Sequence, residues 1–246
     1  MNKYYSNHSV VTKVYKKMST NSEMITQMIY GDAFSIIKKE RGWFRIKIKE
    51  DGYVGFIKKK KIISYIKPTH KICSLLANIY KYPNTKKKIK TLTYGSKIII
   101  KKSKLNFKGF ENSWISANDV KPIYHKNKNI FSNISIFKNT KYIWGGKSYK
   151  GIDCSALIQI FFNYNNKYCP RDAKDQVIFF KKDIKLKNIK KNDIIYWKGH
   201  VAVALSKKKL IHAYGPMKKT VIMNIDKAIK LIKKTANLEV ISIKRI

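Results

Sequence analysis

A cysteine stands at the head of an apolar run that contains neither glycine nor proline: Cys154-Ser155-Ala156-Leu157-Ile158-Gln159-Ile160-Phe161-Phe162. Such a run reads as a buried helix, with the thiol on its first turn. There, unpaired backbone N–H groups and the positive end of the helix dipole favour thiolate over thiol. Cysteines so placed have pKa values lowered to roughly 3.5–7.5. Two histidines follow in short apolar stretches, His200 and His212. A thiol, an imidazole to carry its proton and a second polar group to fix the imidazole tautomer make a nucleophilic site. The competing reading, an ordinary buried thiol, has to be weighed against the residues around it.

Composition narrows the partners. The chain has 246 residues, room for one large domain or two to three small ones. With 44% hydrophobic and 13% aromatic residues it can bury real cores. The net charge of +40 suggests nucleic acid at first sight. Arginine, however, occurs only at Arg41, Arg45, Arg171 and Arg245, and the lysines are scattered in short runs. Readers of nucleic acid favour arginine for its bidentate contacts. Lys, Ile and Asn share A/T-rich codons, so base composition accounts for the excess. No specific nucleic-acid partner is expected, only weak, salt-sensitive association with polyanions.

Cys73, Cys154 and Cys169 form no CxxC pair, which argues against a disulfide scaffold or a structural zinc site. Met1 to His8 carries no apolar core and no cleavage site of a secretory signal. No apolar stretch approaches the roughly 20 residues that span a bilayer. The expectation is a soluble, cytoplasmic protein with no membrane span and a reduced thiol.

An internal repeat precedes the cysteine. Val14-Tyr15-Lys16 followed by Met28-Ile29-Tyr30-Gly31 matches Asn78-Ile79-Tyr80 followed by Leu92-Thr93-Tyr94-Gly95. The copies end on Gly55-Phe56-Ile57 and Ser113-Trp114-Ile115. Short β-branched strands punctuated by glycine predict small barrels. Lys121-Pro122 through Asn129 reads as a linker. Beyond it the pattern predicts a short helix over about Ile130 to Phe137, then the Cys154 helix. Strands are expected over Ile194–Trp197, Val201–Leu205 and Leu210–Tyr214, a helix over Asp226–Ile232 and a last strand over Glu239–Ile243. Helices first and an antiparallel sheet after make an α+β layout.

Tyr142-Ile143-Trp144-Gly145-Gly146 before the cysteine, Pro170-Arg171-Asp172-Ala173 and Gln176 after it, Asn192 to Trp197 leading into Gly199-His200-Val201, and Leu210-Ile211-His212-Ala213 agree in order and spacing with one family. Residues Phe137 to Asn224 resemble the NlpC/P60 family of papain-like cell-wall peptidases. Gly42-Trp43-Phe44-Arg45-Ile46 and Asp51-Gly52-Tyr53-Val54-Gly55-Phe56 resemble bacterial SH3-like (SH3b) domains. The implied organisation is an SH3b domain over 1–65, a second over 66–124 and a papain-like catalytic domain over 125–246.

The resemblance implies a cysteine peptidase that cuts the γ-D-glutamyl–diamino acid bond of murein stem peptides with a free N-terminal L-Ala, in muropeptide recycling. Cys154 would be the nucleophile, His200 the base and His212 its orienting partner. Asp153 and Ser155 correspond to residues that hold the L-Ala ammonium and part of the D-Glu moiety in relatives, and Asp172 shares the ammonium. For Asp153 the residue-level alternative is a helix N-cap. Trp144 would wall the pocket, Tyr53 would close it from above, and Arg171 would be structural. Ala156 stands where relatives keep glycine, and Ala173 where many carry Ser or Thr, removing one hydrogen bond to substrate. No metal or organic cofactor is implied, and the partners are murein-derived peptides. Two other readings share these residues: a thiol amidase or acyltransferase on the same fold, and a non-enzymatic SH3b wall binder.

One expectation is purely geometric. Side chains alternate along a strand, so His200 and His212 share a face only if their hairpin has an odd number of unpaired residues or a bulge. A two-residue turn at Lys207-Lys208 would put Val203 opposite His212 and separate the imidazoles.

Overall fold

Alternation in Trp43-Phe44-Arg45-Ile46-Lys47-Ile48 makes a strand with Phe44, Ile46 and Ile48 in a core and Arg45 and Lys47 in solvent. The structure, a computed structural model, describes residues 3–246. It divides into two units: Met1–Lys126 with Lys147–Tyr149 and Tyr164–Asn166, and Asn127–Gly146 with Lys150–Asn163 and Lys167–Ile246.

The first unit opens with β1 (Tyr4–Ser6), β2 (Val11–Tyr15), β3 (Met24–Ile29), β4 (Ala33–Glu40), β5 (Trp43–Ile48), β6 (Val54–Lys58) and β7 (Ile63–Ser64). They form one sheet in the order β3-β2-β6-β5-β4-β1-β7. Val14, Met28, Phe34, Phe44, Ile46, Ile48 and Ile57 fill its core. The sequence repeat returns as β8 (His70–Ile72), β9 (Leu76–Tyr80), β10 (Lys88–Thr93), β11 (Lys97–Ile98), β12 (Lys102–Lys104), β13 (Phe107–Phe110), β14 (Ser113–Ser116) and β15 (Val120–Pro122). Their orders are β10-β9-β14-β13-β12 and β11-β8-β15. With β11 and β12 taken as one strand broken over 99–101, this is the order of the first copy.

The repeated Tyr-Gly turns explain themselves. Gly31 and Gly95 have φ of +83° and +81°, a left-handed conformation that glycine adopts without strain. At Gly31 a Cβ would also lie 2.1 Å from the Lys97 carbonyl oxygen, so the backbones meet where no side chain fits. The excursion β16 (Lys147–Ser148) belongs to this unit. Its Lys147 N–H donates to Gln27 Oε1 at 2.9 Å, and the Tyr149 N–H donates to Thr93 Oγ1 at 3.0 Å. Lys147 Nζ lies 3.7 Å from the buried Asp32 carboxylate.

The second unit holds β17 (Gly151–Ile152), α1 (Cys154–Tyr164, its last residue counted with the first unit), α2 (Ala173–Phe179), β18 (Lys182–Asp183), β19 (Ile194–Trp197), β20 (His200–Ala204), β21 (Lys209–Tyr214), β22 (Lys219–Asn224), α3 (Ile225–Ala236) and β23 (Val240–Arg245). The sheet order is β18-β23-β19-β20-β21-β22. The α3 residues Ile225, Ala228 and Ile232 pack on Trp197, Ala202, Ala204, Leu210 and Tyr214. Asn224 caps α3 by accepting from the Asp226 and Lys227 N–H groups, and Asn237 ends it in the left-handed region.

Three expected elements shift. The helix over Ile130–Phe137 shrinks to a 3-10 turn over Ile134–Phe137, because Asn133 takes φ +62° and interrupts any right-handed turn before it. The late helix is longer than Asp226–Ile232, since its caps lie at Asn224 and Asn237. The last strand extends to Arg245 because Lys244 and Arg245 pair with Asp183 and Lys182 of β18.

Candidate active site

Asp153 starts α1 as its cap. Its Oδ1 accepts from the Ala156 N–H at 2.8 Å and its carbonyl from the Leu157 N–H at 3.1 Å. The same carboxylate takes Arg171 in a two-pronged ion pair, Nη1 to Oδ1 at 3.1 Å and Nη2 to Oδ2 at 2.5 Å. The Gly145 N–H donates to Oδ2 at 2.9 Å and Ser155 Oγ donates to Oδ1 at 3.2 Å. Five donors meet a group with about four lone-pair positions. This corrects the expectation that Asp153 receives a substrate ammonium: Arg171 already neutralises it, and its acceptor positions are filled. Arg171 is structural, as expected, with 3% exposure.

Cys154 is 5% exposed at the first position of α1. The β20–β21 ladder pairs Val203 with Ile211 and Ala204 with Leu210. On its other edge β20 stays paired to β19, His200 with Trp197 and Val201 with Tyr196. The Val201 N–H hydrogen-bonds the Cys154 sulfur, and the Ser155 N–H adds a second backbone donor. These donors and Arg171 favour thiolate. Burial, first, and the charge of Asp153, second, outweigh them and push the thiol up to about 12. The expectation of a lowered thiol pKa is corrected accordingly. A helix N-terminus lowers a pKa where water also reaches the sulfur; here water is excluded and an anion is adjacent.

His200 Nε2 and His212 Nδ1 lie 2.9 Å apart. The hairpin that allows it has three unpaired residues, Ser206 to Lys208, closed by the Leu205 N–H donating to the Lys209 carbonyl at 2.8 Å. This odd number puts both imidazoles on one face, as the geometric expectation required. Tyr214 stacks on His212 with centroids 5.0 Å apart and planes 13° apart, and Trp197 lies 5.5 Å from His200. In this aromatic enclosure burial, with the neighbouring His212, holds His200 down at about 3, and burial holds His212 at about 4.

Of the remaining expected residues, Ser155 is buried and accepts from Arg171 Nη1 at 2.9 Å. Trp144 is 58% exposed beside the Gly145 turn. Asp172 is half-buried at the N-cap of α2. Tyr53 lies in the first unit, half-buried against the core of the first copy. Sequence reasoning gave Tyr142 no role, yet burial first, and then the neighbouring Cys154 sulfur and Asp153 carboxylate, push its phenol pKa up. Its place two residues before Trp144 was the available signal. Gln176 donates to the Ser155 and Pro170 carbonyls at 3.0 and 2.9 Å, tying α2 to the first turn of α1. Among the described residues no group of three or more His, Cys, Asp or Glu is gathered for a metal ion.

Residues 139–235 match the model of the NlpC/P60 family, and residues 14–62 that of the bacterial dipeptidyl-peptidase Sh3 domain. The chain therefore carries an NlpC/P60 domain and a dipeptidyl-peptidase SH3 domain. It is 23% identical over 234 residues to a dipeptidyl-peptidase 6 of Lysinibacillus sphaericus, covering 83% of this chain and 85% of that protein. To a γ-D-glutamyl-L-lysine dipeptidyl-peptidase of Bacillus subtilis it is 24% identical, covering 86% of this chain and 79% of that protein. A crystal structure of an NlpC/P60 family protein from Bacillus cereus superposes with a TM-score of 0.82 at 16% identity, covering 98% of this chain and 99% of that one. At that identity the likeness speaks for the fold. The matched SH3 model covers the first copy of the repeat; the second shares its strand order. No helix among the described residues is long and apolar enough to cross a membrane.

The neutral histidine pair of the NlpC/P60 domain sets a pH dependence. Both rings are uncharged when folded, while unfolded histidine protonates near 6.5. Their contribution is complete above pH 6.5 and is lost as pH falls toward 4 and 3, because the unfolded chain then binds more protons. Urea unfolding should show a loss of about 2–4 kcal/mol between pH 7 and pH 5, and His212→Leu should roughly halve that slope. A stability flat over this range would mean that the imidazoles are not held neutral.

Proposed function

We propose that this protein is a cysteine peptidase that hydrolyses the γ-D-glutamyl–diamino acid bond of murein-derived peptides with a free N-terminal L-Ala. The observation that carries the reading is the His200–His212 pair beside Val201, whose N–H reaches the Cys154 sulfur. The names of the relatives support the substrate class.

The resting pair is neutral thiol and neutral imidazole, so proton transfer accompanies attack. As Cys154 Sγ bonds to the D-Glu side-chain carbonyl carbon, its proton passes to His200. The tetrahedral intermediate collapses to a thioester while His200 returns the proton to the leaving amine of the diamino acid. Water, deprotonated by His200, then adds to the thioester and releases L-Ala-D-Glu, its γ-carboxyl now free, and the thiol. His212 keeps the His200 ring in place and stabilises the imidazolium. Asp153 is paired with Arg171, and the substrate ammonium is assigned to Asp172, with Ser155 and Trp144 as pocket residues of the same unit. The second copy of the repeat is a second SH3-like barrel, supported by its strand order.

Mass spectrometry of L-Ala-γ-D-Glu-diaminopimelate incubated with the protein tests this directly. The dipeptide L-Ala-D-Glu should appear, and N-acetylation of the substrate should cut kcat/KM by at least about 30-fold, on the order of 2–5 kcal/mol for an ammonium site left unmatched. Equal rates on free and acetylated peptides would remove the ammonium requirement. No cleavage of either, with acyl transfer to an added amine, would favour the acyltransferase reading.

A further inference from the structure

His212 has a third neighbour that the nucleophile–base–orienter scheme does not use. Its Nε2 lies 3.3 Å from Met223 Sδ on β22, the strand paired to β21. Register places His212 opposite Val221, so Met223, two residues on, shares the face of His212. Both nitrogens of the buried imidazole are thus engaged, Nδ1 with His200 and Nε2 with Met223.

A thioether has lone pairs and no proton, so it can only accept. A neutral imidazole carries one N–H. With that proton on Nδ1, the bare Nε2 lone pair of the fully buried His212 ring would face the sulfur lone pairs at 3.3 Å, a repulsive contact. With it on Nε2, the ring donates to Met223, and Nδ1 is left as an acceptor. The acceptor at Nδ1 in turn requires His200 to present Nε2–H, which leaves the His200 lone pair on Nδ1. We propose that Met223 is a positioning residue that sets the tautomer of both histidines and thereby selects His200 Nδ1 as the basic atom.

The proposal rests on the peptidase reading only for its catalytic consequence. When His200 Nδ1 takes the thiol proton, its Nε2–H remains bonded to His212, and His212 keeps its own proton on Nε2; no proton moves along the pair. Tyr214, stacked on His212 and bonded through its hydroxyl to Thr235 of α3, fixes the ring plane in which the two bonds lie.

Long-range ¹⁵N–¹H correlation spectra of histidine-labelled protein test the assignment without any substrate. In the wild type, His212 should show a protonated Nε2 and an unprotonated Nδ1, and His200 the same. Met223→Leu keeps the volume and removes the acceptor; the His212 signals should move toward a mixture of tautomers, and kcat should fall up to about tenfold with KM little changed. Met223→Gln, whose carbonyl restores an acceptor, should recover both. An unprotonated His212 Nε2 in the wild type would overturn the proposal. So would unchanged tautomer signals in Met223→Leu, even with activity lost, since the methionine would then only fill space. If the spectra behave as stated but no γ-D-glutamyl peptide is cut, the substrate reading fails and the tautomer assignment stands.

Discussion

Replacing Cys154 with alanine is expected to abolish hydrolysis of L-Ala-γ-D-Glu-diaminopimelate, a loss on the order of 10⁵-fold in kcat. Everything in the mechanism passes through one sulfur, so no other group takes over its bond. Cys73 lies in the N-terminal unit, and Cys73→Ala should leave turnover within about twofold. Cys169 is fully buried in the second unit, so Cys169→Ala should cost some stability and little activity. Alkylation separates the thiols in a second way. Because burial and Asp153 keep Cys154 protonated, iodoacetamide should modify it slowly near neutral pH and faster as the pH rises, the thiolate being the reactive form. Full activity of Cys154→Ala would sink the proposed nucleophile outright; rapid alkylation at pH 7 would show instead that the sulfur is open to water.

The second large effect concerns Arg171. Arg171→Leu leaves the Asp153 carboxylate buried without its counter-ion, and the expected loss is about 3–5 kcal/mol of unfolding free energy. Asp153→Asn added to that variant should recover part of it, since the amide oxygen still caps Ala156 while the charge is gone. Arg171→Lys should not rescue: one ammonium cannot reproduce the two prongs on Asp153 together with the bond to Ser155. Urea unfolding followed by circular dichroism measures all three. A loss below about 1 kcal/mol in Arg171→Leu would mean that water reaches the pair and that Asp153 is free for a ligand after all.

The Arg171 result bears on specificity as well as stability. Asp153 is one residue from the nucleophile, and its charge raises both the Cys154 thiol and the Tyr142 phenol. An uncompensated Asp153 would oppose thiolate still more strongly. Arg171 therefore serves the chemistry indirectly, by cancelling a carboxylate that the helix needs as its cap.

The order of chemical groups along the chain was legible in the residues themselves. An apolar run free of glycine and proline after Asp153-Cys154 reads as a helix with the thiol at its start and a capping residue available before it, because cap preference and the lack of helix breakers are local properties. The repeat of Tyr-Gly turns in the first unit was legible for the same reason, since a left-handed turn before a strand depends on the residue that makes it. Even the face of the two imidazoles could be reduced to counting turn residues, because a strand has a period of two. What lay beyond the sequence is whatever depends on which groups meet through space. Asp153 looked like a free carboxylate until Arg171, 18 positions away, closed on it. The Cys154 thiol looked acidic from its helix end alone, and burial, which no local pattern reports, reversed that. His212 and Met223 stand 11 residues apart on neighbouring strands, and only the β21–β22 register brings ring and sulfur together. Local preference chose the elements; burial and register, set by the packing of the whole sheet, decided the protonation of what they carry.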